Sequence, residues 1–350
     1  MSYELNDKIR ELEPYEPISG TYKIRLDANE CPINYPSEIL NQIKDAVDKI
    51  DFNRYPDPMA TSVVNAFAQY YEVSPELVTA GNGSDELIFL IESAFMQKGD
   101  KMLVASPDFS MYKFYSSICE VNCETFIKDD NLKIDTDALI KKINEENIKL
   151  VLFSNPCNPT GQGMTADDAR RLVSSVNALV ILDEAYMDFW NQSLISEVED
   201  YDNLIVFRTA SKSIGSAALR LGFAVANKTI SKAIKAVKSP YNVNSISQAV
   251  GSIIYKNKEY LKSRQKLIVR NRENLYNNLL RISANTSDFK VFESCANFIL
   301  IKTSFGKELW EHLKDNSIVI RYMGDYLRIS VGTEEENEEL IKFIGSYLSR

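Results

Sequence analysis

Five short apolar segments in the middle of the chain constrain its fold more than any other feature. In sequence order they are KMLVAS (101–106), IKLVLFS (148–154), ALVILDE (178–184), LIVFRT (204–209) and GFAVAN (222–227). Their apolar residues follow one another with little alternation. Both faces of each segment are therefore expected to be buried, as in the strands of a parallel or mostly parallel sheet.

Helical patterns separate these segments. In TADDARRLVSSV (165–176), Thr165 is placed to cap the helix N-terminus, and Asp168 follows three residues later. The alternation of buried strands with helices predicts an α/β fold built on a doubly wound, mostly parallel sheet.

The length and a change of texture near residue 246 predict two domains. A chain of 350 residues accommodates one large or two ordinary domains. The apolar strands fall within residues 29–245, the predicted large domain. A long charged helical stretch then precedes FKVFESCANFILIKT and SIVIRYMGDYLRISVGT, which predicts a smaller α+β domain over residues 246–350. Residues 1–28 are polar and contain proline, and are expected to form an arm that packs on another surface.

Composition argues against several classes of function. The net charge is −9 and lysine and arginine form no block, which argues against a nucleic-acid surface. No apolar run reaches the length of a membrane span, and the charged N-terminal segment lacks the apolar core of a signal peptide. The five cysteines are scattered and complete no recognisable metal site, which favours reduced thiols in a cytoplasm.

The chain contains a single histidine, His312, in a segment that reads as an amphipathic helix. An ordinary surface or boundary position is the expected role of this side chain. A serine–histidine or cysteine–histidine mechanism would rest on that one residue. If the chain is an enzyme, another group is expected to move protons.

Glycine is scarce, and six of the 13 glycines fall in three short stretches. One stretch is TAGNGSDELIFLIESAF (79–95), where GNGS leads directly into a helical pattern. Backbone N–H groups at a helix start attract phosphate, with Gly83 and Ser84 as the expected donors. A turn and helix cap without a ligand is the alternative.

Two other segments place polar residues at the ends of predicted strands. FSNPCNPTGQG (153–163) contains two Asn-Pro pairs that force a rigid loop, and Asn158 lies beyond the carboxyl end of its strand, where open α/β sheets bind ligands. ALVILDEAYMDF ends its strand in two carboxylates, with Tyr186 three residues after Asp183. A buried carboxylate at such a strand end requires a positive partner; a solvated strand end is the alternative.

The segment TASKSIGSAALRLG (209–222) surrounds Lys212 with small residues. A lysine in a partly desolvated pocket can bond covalently to a carbonyl group, and Ser211 and Arg220 can hold a phosphate. An exposed lysine at a helix start is the alternative. Asn158, Asp183, Lys212 and Arg220 together provide what a pyridine aldehyde phosphate requires: an amine, an anion for the ring nitrogen, ring donors and a phosphate cradle.

This constellation resembles the fold-type I, pyridoxal-phosphate-dependent aminotransferases of class I and II. Within them it is most similar to the histidinol-phosphate aminotransferases. The similarity runs over almost the whole chain, through the motifs PYEP, LDANECP, NRYPDP, GNGSDELI, NPCNPTGQ, DEAYMDF, RTASKSIGSAALRLGF, PYNVNSISQ, ANFIL and YLRISVGT. The sequence departs from the family at Ala218, Ser84 and PDFS, none of which removes a reacting group.

The resemblance implies pyridoxal 5'-phosphate as cofactor and assigns the residues around it. Lys212 would bond to the cofactor and then carry the substrate proton, and Asp183 would pair with the ring nitrogen. Asn158 and Tyr186 would hydrogen-bond the ring oxygen, and Phe109 would stack on the ring unless it is a core aromatic. The cofactor phosphate would be bound by Gly83, Ser84, Ser211, Arg220 and, from the neighbouring subunit, Tyr55. A homodimer is thus implied, with the arm packing on the small domain and the partner.

The resemblance also implies the substrate contacts. Arg328 would bind the substrate α-carboxylate, with Asn29 near it. In YLRISVGT, Leu327 and Ile329 share one strand face while Arg328 points the other way, which supports that role independently of the resemblance. An edge salt bridge is the alternative for Arg328. Tyr15 and Arg321 are candidates for a phosphate on the substrate, although Arg321 also suits an ordinary surface position.

The expected reaction moves an amino group from L-histidinol phosphate to 2-oxoglutarate. An aromatic-amino-acid aminotransferase is the first alternative, because phenyl and imidazole rings require similar pockets, and a threonine-phosphate decarboxylase is the second. Two readings from other classes remain: a cofactor-binding relative without activity, and a nucleotide-binding α/β protein that uses GNGS. The chain lacks G-x-G-x-x-G and G-K-[ST], which argues against the last.

Overall fold

The computed structural model describes residues 3–10, 12–14, 16 and 18–349. The predicted substrate residue Tyr15 lies outside the described residues. The described residues form twelve α-helices: Asp7–Arg10 (α1), Ser37–Val47 (α2), Thr61–Tyr71 (α3), Ser84–Phe95 (α4), Met111–Ile118 (α5), Thr136–Glu145 (α6), Ala166–Ser175 (α7), Lys228–Val237 (α8), Ser245–Lys256 (α9), Lys258–Ser283 (α10), Gly306–Asp315 (α11) and Glu334–Leu348 (α12). Short 3-10 helices cover Pro75–Leu77, Met187–Phe189, Ile195–Asp200 and Ala217–Leu219.

Twelve strands within the described residues form two sheets. The strands are Ile24–Leu26 (β1), Val78–Gly81 (β2), Lys101–Ser106 (β3), Asn122–Ile127 (β4), Leu150–Ser154 (β5), Leu179–Asp183 (β6), Leu204–Thr209 (β7), Gly222–Ala226 (β8), Lys290–Val291 (β9), Phe298–Lys302 (β10), Ile318–Met323 (β11) and Tyr326–Ser330 (β12). The large sheet has the order β2-β8-β7-β6-β5-β3-β4, and the small one β1-β11-β12-β10-β9.

The large sheet is mostly parallel, as predicted. Adjacent strands from β4 to β7 pair in parallel, whereas β8 runs antiparallel to both β7 and β2. The carboxyl ends of the parallel strands therefore meet at one edge of the sheet, and the amino end of β8 lies at that same edge. Three of the segments predicted to carry chemistry follow β5, β6 and β7 at this edge, and GNGS follows β2, whose last residue lies opposite the start of β8. The topology therefore brings these segments together.

Alternation along each strand divides the apolar residues between the two faces of the large sheet. Val180, Leu182 and Val206 belong to a core shared with α3 and α9. Ile181 and Phe207 belong to the core on the other face, together with α4. The helix predicted over 165–176 forms as α7, and its Thr165 hydroxyl accepts a hydrogen bond of 3.2 Å from the Asp168 amide.

The small sheet packs against α10, α11 and α12 and has a core of its own. The change between cores falls within α10, since Leu261 belongs to the large core and Ile268 to the small one. α9 packs on α2 and α3 of the large unit, although the sequence assigned residues after 245 to the small domain. Apolar side chains such as Val250 and Ile254 bury that helix in the large core. As a division of the whole chain into domains, the boundaries at 28/29 and 245/246 stay a prediction.

The N-terminal residues contact both units. β1 pairs in parallel with β11 and so joins the small sheet. α1 lies against α5 of the large unit, where Lys8 Nζ donates to the Ile118 carbonyl over 3.1 Å. Packing of the arm on a partner subunit stays a prediction. Among the helices of the described residues, none combines the length and the apolar character needed to span a bilayer.

Candidate active site

Asp183 is the last residue of β6, and its carboxylate is buried at the gathered edge of the large sheet. Its Oδ2 accepts a hydrogen bond of 2.8 Å from the Tyr112 hydroxyl, and its Oδ1 accepts one of 3.1 Å from the Ala185 amide. Burial raises the pKa of Asp183 to about 6, although the two hydrogen bonds act in the opposite direction. A cationic group next to this carboxylate would recover much of its desolvation cost.

Lys212 lies three residues beyond the end of β7 and is half-buried. Its Nζ donates to the Ala28 carbonyl over 3.1 Å and lies 5.7 Å from the centre of the Tyr186 ring. Asn29 follows Ala28 directly, and its Nδ2 donates to the Tyr186 hydroxyl over 3.0 Å. The structure therefore brings Lys212, Tyr186 and Asn29 together.

Arg328 on β12 joins the small sheet to the edge of the large one. Its Nη1 donates to the side-chain oxygen of Asn158, and its Nη2 donates to the Asp27 carbonyl over 2.7 Å. The Asn158 amide in turn donates to the Ser154 hydroxyl over 3.0 Å. The predicted substrate arginine and the predicted ring-oxygen ligand are thus in direct contact.

Where β8 and α4 begin, Gly222 leaves space for backbone atoms and Gly83 leaves space for the Arg220 guanidinium. Gly83 precedes α4 with φ +88°, a conformation that glycine adopts without strain. A Cβ at Gly222 would overlap the Gly83 carbonyl carbon and the Ser84 amide nitrogen. The Arg220 guanidinium lies beside Gly83, since a Cβ there would be 2.9 Å from its Nη2.

This arrangement fits the phosphate of a ring cofactor. The exposed Arg220 pairs with Asp85 over 3.2 Å, a contact that contributes little to stability. Ser211 is buried two residues beyond the end of β7. A helix N-terminus, serine hydroxyls and a guanidinium are donors suited to a phosphate, while Asp183 suits a protonated ring nitrogen.

The remaining predicted residues differ in their surroundings. Phe109 lies edge-on to Tyr112, with ring centres 5.5 Å apart, and so reaches the Asp183 region. Arg321 on β11 is the cross-strand partner of Arg328 and is half-buried. Tyr55 is 81% exposed, and its ring stacks on Tyr241 with centres 4.7 Å apart.

The chain matches a known family over most of its length. The family is described as aminotransferase class I and II, and the match covers residues 21–344. The chain belongs to this family. The resemblance inferred from the motifs is thereby confirmed, and the chain is an aminotransferase.

Close relatives of this aminotransferase carry a more specific name. It is 40% identical to the histidinol-phosphate aminotransferase of Clostridium novyi over 341 residues, which cover 96% of this chain and 95% of that one. It is 36% identical to the histidinol-phosphate aminotransferase of Clostridium kluyveri, with 97% of each chain covered.

A solved structure confirms the predicted fold of this aminotransferase. The histidinol-phosphate aminotransferase from Sinorhizobium meliloti, in complex with pyridoxal-5'-phosphate, superposes with a TM-score of 0.87 and 22% identity, covering 98% of both chains. At this identity the likeness concerns the fold. The predicted fold-type I architecture is the one observed.

Sequence reasoning missed several residues that support the site of this aminotransferase. Tyr112 was not singled out, because SMYKF has the pattern of an ordinary amphipathic helix. Arg264 of α10 was not predicted either. Its Nη2 donates to the carbonyl of Ile214, two residues after Lys212, over 2.5 Å. Asp108 accepts hydrogen bonds from the amide and the hydroxyl of Ser154, whose hydroxyl in turn accepts one from the Asn158 amide. Each acts through tertiary contacts that no local pattern encodes.

Proposed function

We propose that this aminotransferase uses pyridoxal 5'-phosphate to transfer the amino group of L-histidinol phosphate to 2-oxoglutarate, yielding imidazole-acetol phosphate and L-glutamate. The observation that carries the proposal is the meeting of Lys212, Asp183 and Asn158 at one sheet edge with Arg328 of the second sheet. Relatives at 36–40% identity over nearly the full length are named histidinol-phosphate aminotransferases, which favours this donor.

The residues of the site divide the task of holding the cofactor. Gly83, Ser84, Ser211 and Arg220 would hold its phosphate, and Asn158 and Tyr186 would hydrogen-bond its ring oxygen. Asp183 would keep the ring nitrogen protonated, and Phe109 would pack on the ring. When bound, pyridoxal phosphate supplies an electron sink for the bonds at the amino-bearing carbon.

Lys212 is the proposed covalent attachment point and the proton carrier. Its Nζ has the Ala28 carbonyl as hydrogen-bond acceptor and the Tyr186 ring beside it. These contacts hold the amine close to Asn29 and Tyr186 in an environment that is only partly solvated. From that position the amine could take the proton from the amino-bearing carbon and pass it to the aldehyde-derived carbon of the cofactor.

The two arginines of the small sheet suit the anions of both substrates. Arg321 and Arg328 are directly opposite on neighbouring antiparallel strands, so their side chains share one face of the sheet. L-histidinol phosphate carries a phosphate and no carboxylate, whereas 2-oxoglutarate carries two carboxylates. We assign Arg328 to the acceptor's α-carboxylate, with Asn29 near it, and Arg321 with Tyr15 to the donor's phosphate.

Assays with three donors test this proposal. Purified, cofactor-loaded protein is offered L-histidinol phosphate, L-phenylalanine or O-phospho-L-threonine, with 2-oxoglutarate as acceptor, and L-glutamate formation is followed. We expect the highest kcat/KM with L-histidinol phosphate. Strong turnover of phenylalanine with none of histidinol phosphate would identify an aromatic-amino-acid aminotransferase. Release of carbon dioxide from phosphothreonine would identify a decarboxylase.

We further propose a cytoplasmic homodimer in which Tyr55 contacts the cofactor phosphate of the neighbouring subunit. Tyr55 and Phe52 are 81% and 72% exposed, and Met59 near them is 47% exposed. Large apolar side chains grouped on a surface favour an interface. The five free cysteines fit a reducing compartment.

A further inference from the structure

A buried group of charged side chains lies on the face of the large sheet opposite the Asp183 carboxylate. Arg208 on β7 pairs with Glu184 over 2.7 Å and with Asp188 over 2.8 Å. Their side chains are only 4%, 0% and 8% exposed. Glu184 follows Asp183 directly, and neighbouring residues at a strand end point to opposite faces. We call these three residues the buried triad.

Hydroxyl groups add hydrogen bonds to the buried triad. The Ser193 hydroxyl donates to Glu184 over 2.5 Å, and the Tyr71 hydroxyl donates to Asp188 over 2.9 Å. The Arg208 guanidinium lies 4.9 Å from the centre of the Tyr71 ring. Charges this deeply buried tolerate little movement, because an unpaired charge in the interior is strongly destabilising.

The buried triad is linked to the segments that follow β6 and β7. Ser213, the residue after Lys212, donates a hydrogen bond from its hydroxyl to Asp188. Asp188 lies two residues beyond Tyr186, and Arg208 joins it to Glu184 beside Asp183. The two segments follow β6 and β7, and side chains from both take part in the same buried group of charges.

We propose that Asp188 is a positioning residue, which fixes the Lys212 segment relative to Asp183 and Tyr186 through Ser213 and Arg208. The inference rests on the proposed function, in which Lys212 and Asp183 act on opposite ends of one cofactor. A fixed separation between an amine and a carboxylate requires a rigid connection between their strands. The buried triad provides that connection from the face of the sheet opposite the Asp183 carboxylate.

Ser213→Ala tests the connection with a minimal change, because it removes one hydroxyl outside the binding site. In cofactor-loaded protein we expect the pH midpoint of the visible absorption band to shift by about half a unit. The first half-reaction with L-glutamate is expected to slow about tenfold. Ser213→Thr, which keeps the hydroxyl, is expected to restore both values. Tyr71→Phe, which removes another bond to Asp188, is expected to shift them in the same direction.

Ser231→Ala is the matched control. Ser231 is equally buried in α8, and its hydroxyl bonds the Leu77 and Ala226 carbonyls away from the site. We expect it to lower the melting temperature as Ser213→Ala does while leaving the absorption midpoint unchanged. An unchanged midpoint and half-reaction rate in both Ser213→Ala and Tyr71→Phe would overturn the positioning role. Wild-type protein with a visible band and no transamination would overturn the proposed function alone.

Discussion

At the scale of the residue, burial sets the behaviour of Asp183. Its pKa of about 6 in the folded chain lies above the ordinary value of 3.8. The folded state therefore holds its proton more tightly than the unfolded state. This contribution to stability is fully present below pH 3.8 and is lost as the pH rises through about 6. Above that pH the folded protein contains a buried carboxylate, which suits the binding of a cation.

Asp183→Asn tests whether the buried charge of Asp183 lowers stability and favours cofactor binding. In cofactor-free protein above pH 7, the variant should be more stable than wild type by about 3 kcal/mol, with no gain below pH 4. The same variant should bind pyridoxal phosphate weakly and lose most of its transaminase activity. Denaturation of the cofactor-free proteins between pH 4 and 8 measures the first effect. The exposed Asp130→Asn is the control, and a variant less stable than wild type at pH 7.5 would contradict the argument.

Tyr112→Phe removes the hydroxyl that donates to Asp183 over 2.8 Å. Because this bond lowers the pKa of Asp183, we expect that pKa to rise further above 6 in the variant. Transamination at neutral pH should fall about tenfold, as for a lost hydrogen bond to a charged group. NMR titration of the Asp183 carboxyl carbon measures the pKa. Tyr115→Phe, on the same helix, is the control and should leave the titration unchanged.

The sequence was informative about single residues where a local pattern marked them. Asp183 ends one buried strand and Lys212 follows another by three residues, so their place at a strand end was predictable. The contact of Arg328 with Asn158 was not, since the two residues are 170 positions apart and meet only when the two sheets pack. Tyr112 was equally hidden, because its hydroxyl finds Asp183 across 71 residues.

At the scale of the element, the start of β8 and the start of α4 occupy one crowded space. The backbone of Gly222 lies against that of Gly83 and Ser84, with no room for a side chain. The antiparallel β8 pairs with β2 and brings these positions together, Gly81 opposite Gly222. The proposed phosphate site therefore depends on strand pairing as much as on the GNGS turn.

Gly222→Ala should push the α4 N-terminus away from β8. We expect about tenfold weaker binding of pyridoxal phosphate and a loss of about 1–3 kcal/mol in stability, as for an overpacked site. Absorbance titration with the cofactor and thermal melting measure the two effects. Gly345→Ala is the matched control, since a Cβ there meets nothing within 4 Å. Normal cofactor affinity in Gly222→Ala would show that the cradle lies elsewhere.

Elements were predictable where they formed long apolar runs. Segments 101–106 and 204–209 are strands with the predicted bounds, because apolar runs buried on both faces are distinctive. β4 was not predicted, because this edge strand, NCETFI, is largely polar and half exposed. β2 has only four residues and merges in sequence with the GNGS turn. The antiparallel direction of β8 has no local signature either.

At the scale of the whole molecule, α10 connects the two cores and also reaches the lysine segment. Arg264 is 3% exposed and donates to the carbonyls of Ile33 and Ile214 over 3.2 and 2.5 Å. A Cβ at Gly215 would lie 2.8 Å from its guanidinium, so that glycine gives the arginine its space. Any movement of α10 is thereby coupled to the backbone that follows Lys212.

The proposed dimer makes a prediction that a monomer cannot satisfy. If Tyr55 acts in the neighbouring site, Lys212→Ala and Tyr55→Ala chains should each be inactive alone yet complement each other when mixed. Each mixed dimer then contains one site with both Lys212 and Tyr55 intact. With random pairing we expect about a quarter of the wild-type activity.

Differently tagged chains, co-expressed and purified through both tags, isolate the mixed dimers, in which one site of two is complete and about half of the wild-type activity is expected. If Tyr55 instead serves the site of its own chain, every mixed dimer lacks a complete site, and activity stays at the level of the parents.

Tyr55→Phe separates the roles of ring and hydroxyl. It keeps the stack on Tyr241, at 4.7 Å between ring centres, and removes only the group that would contact phosphate. Lower cofactor affinity in Tyr55→Phe dimers of normal stability would then assign the phosphate contact to the hydroxyl.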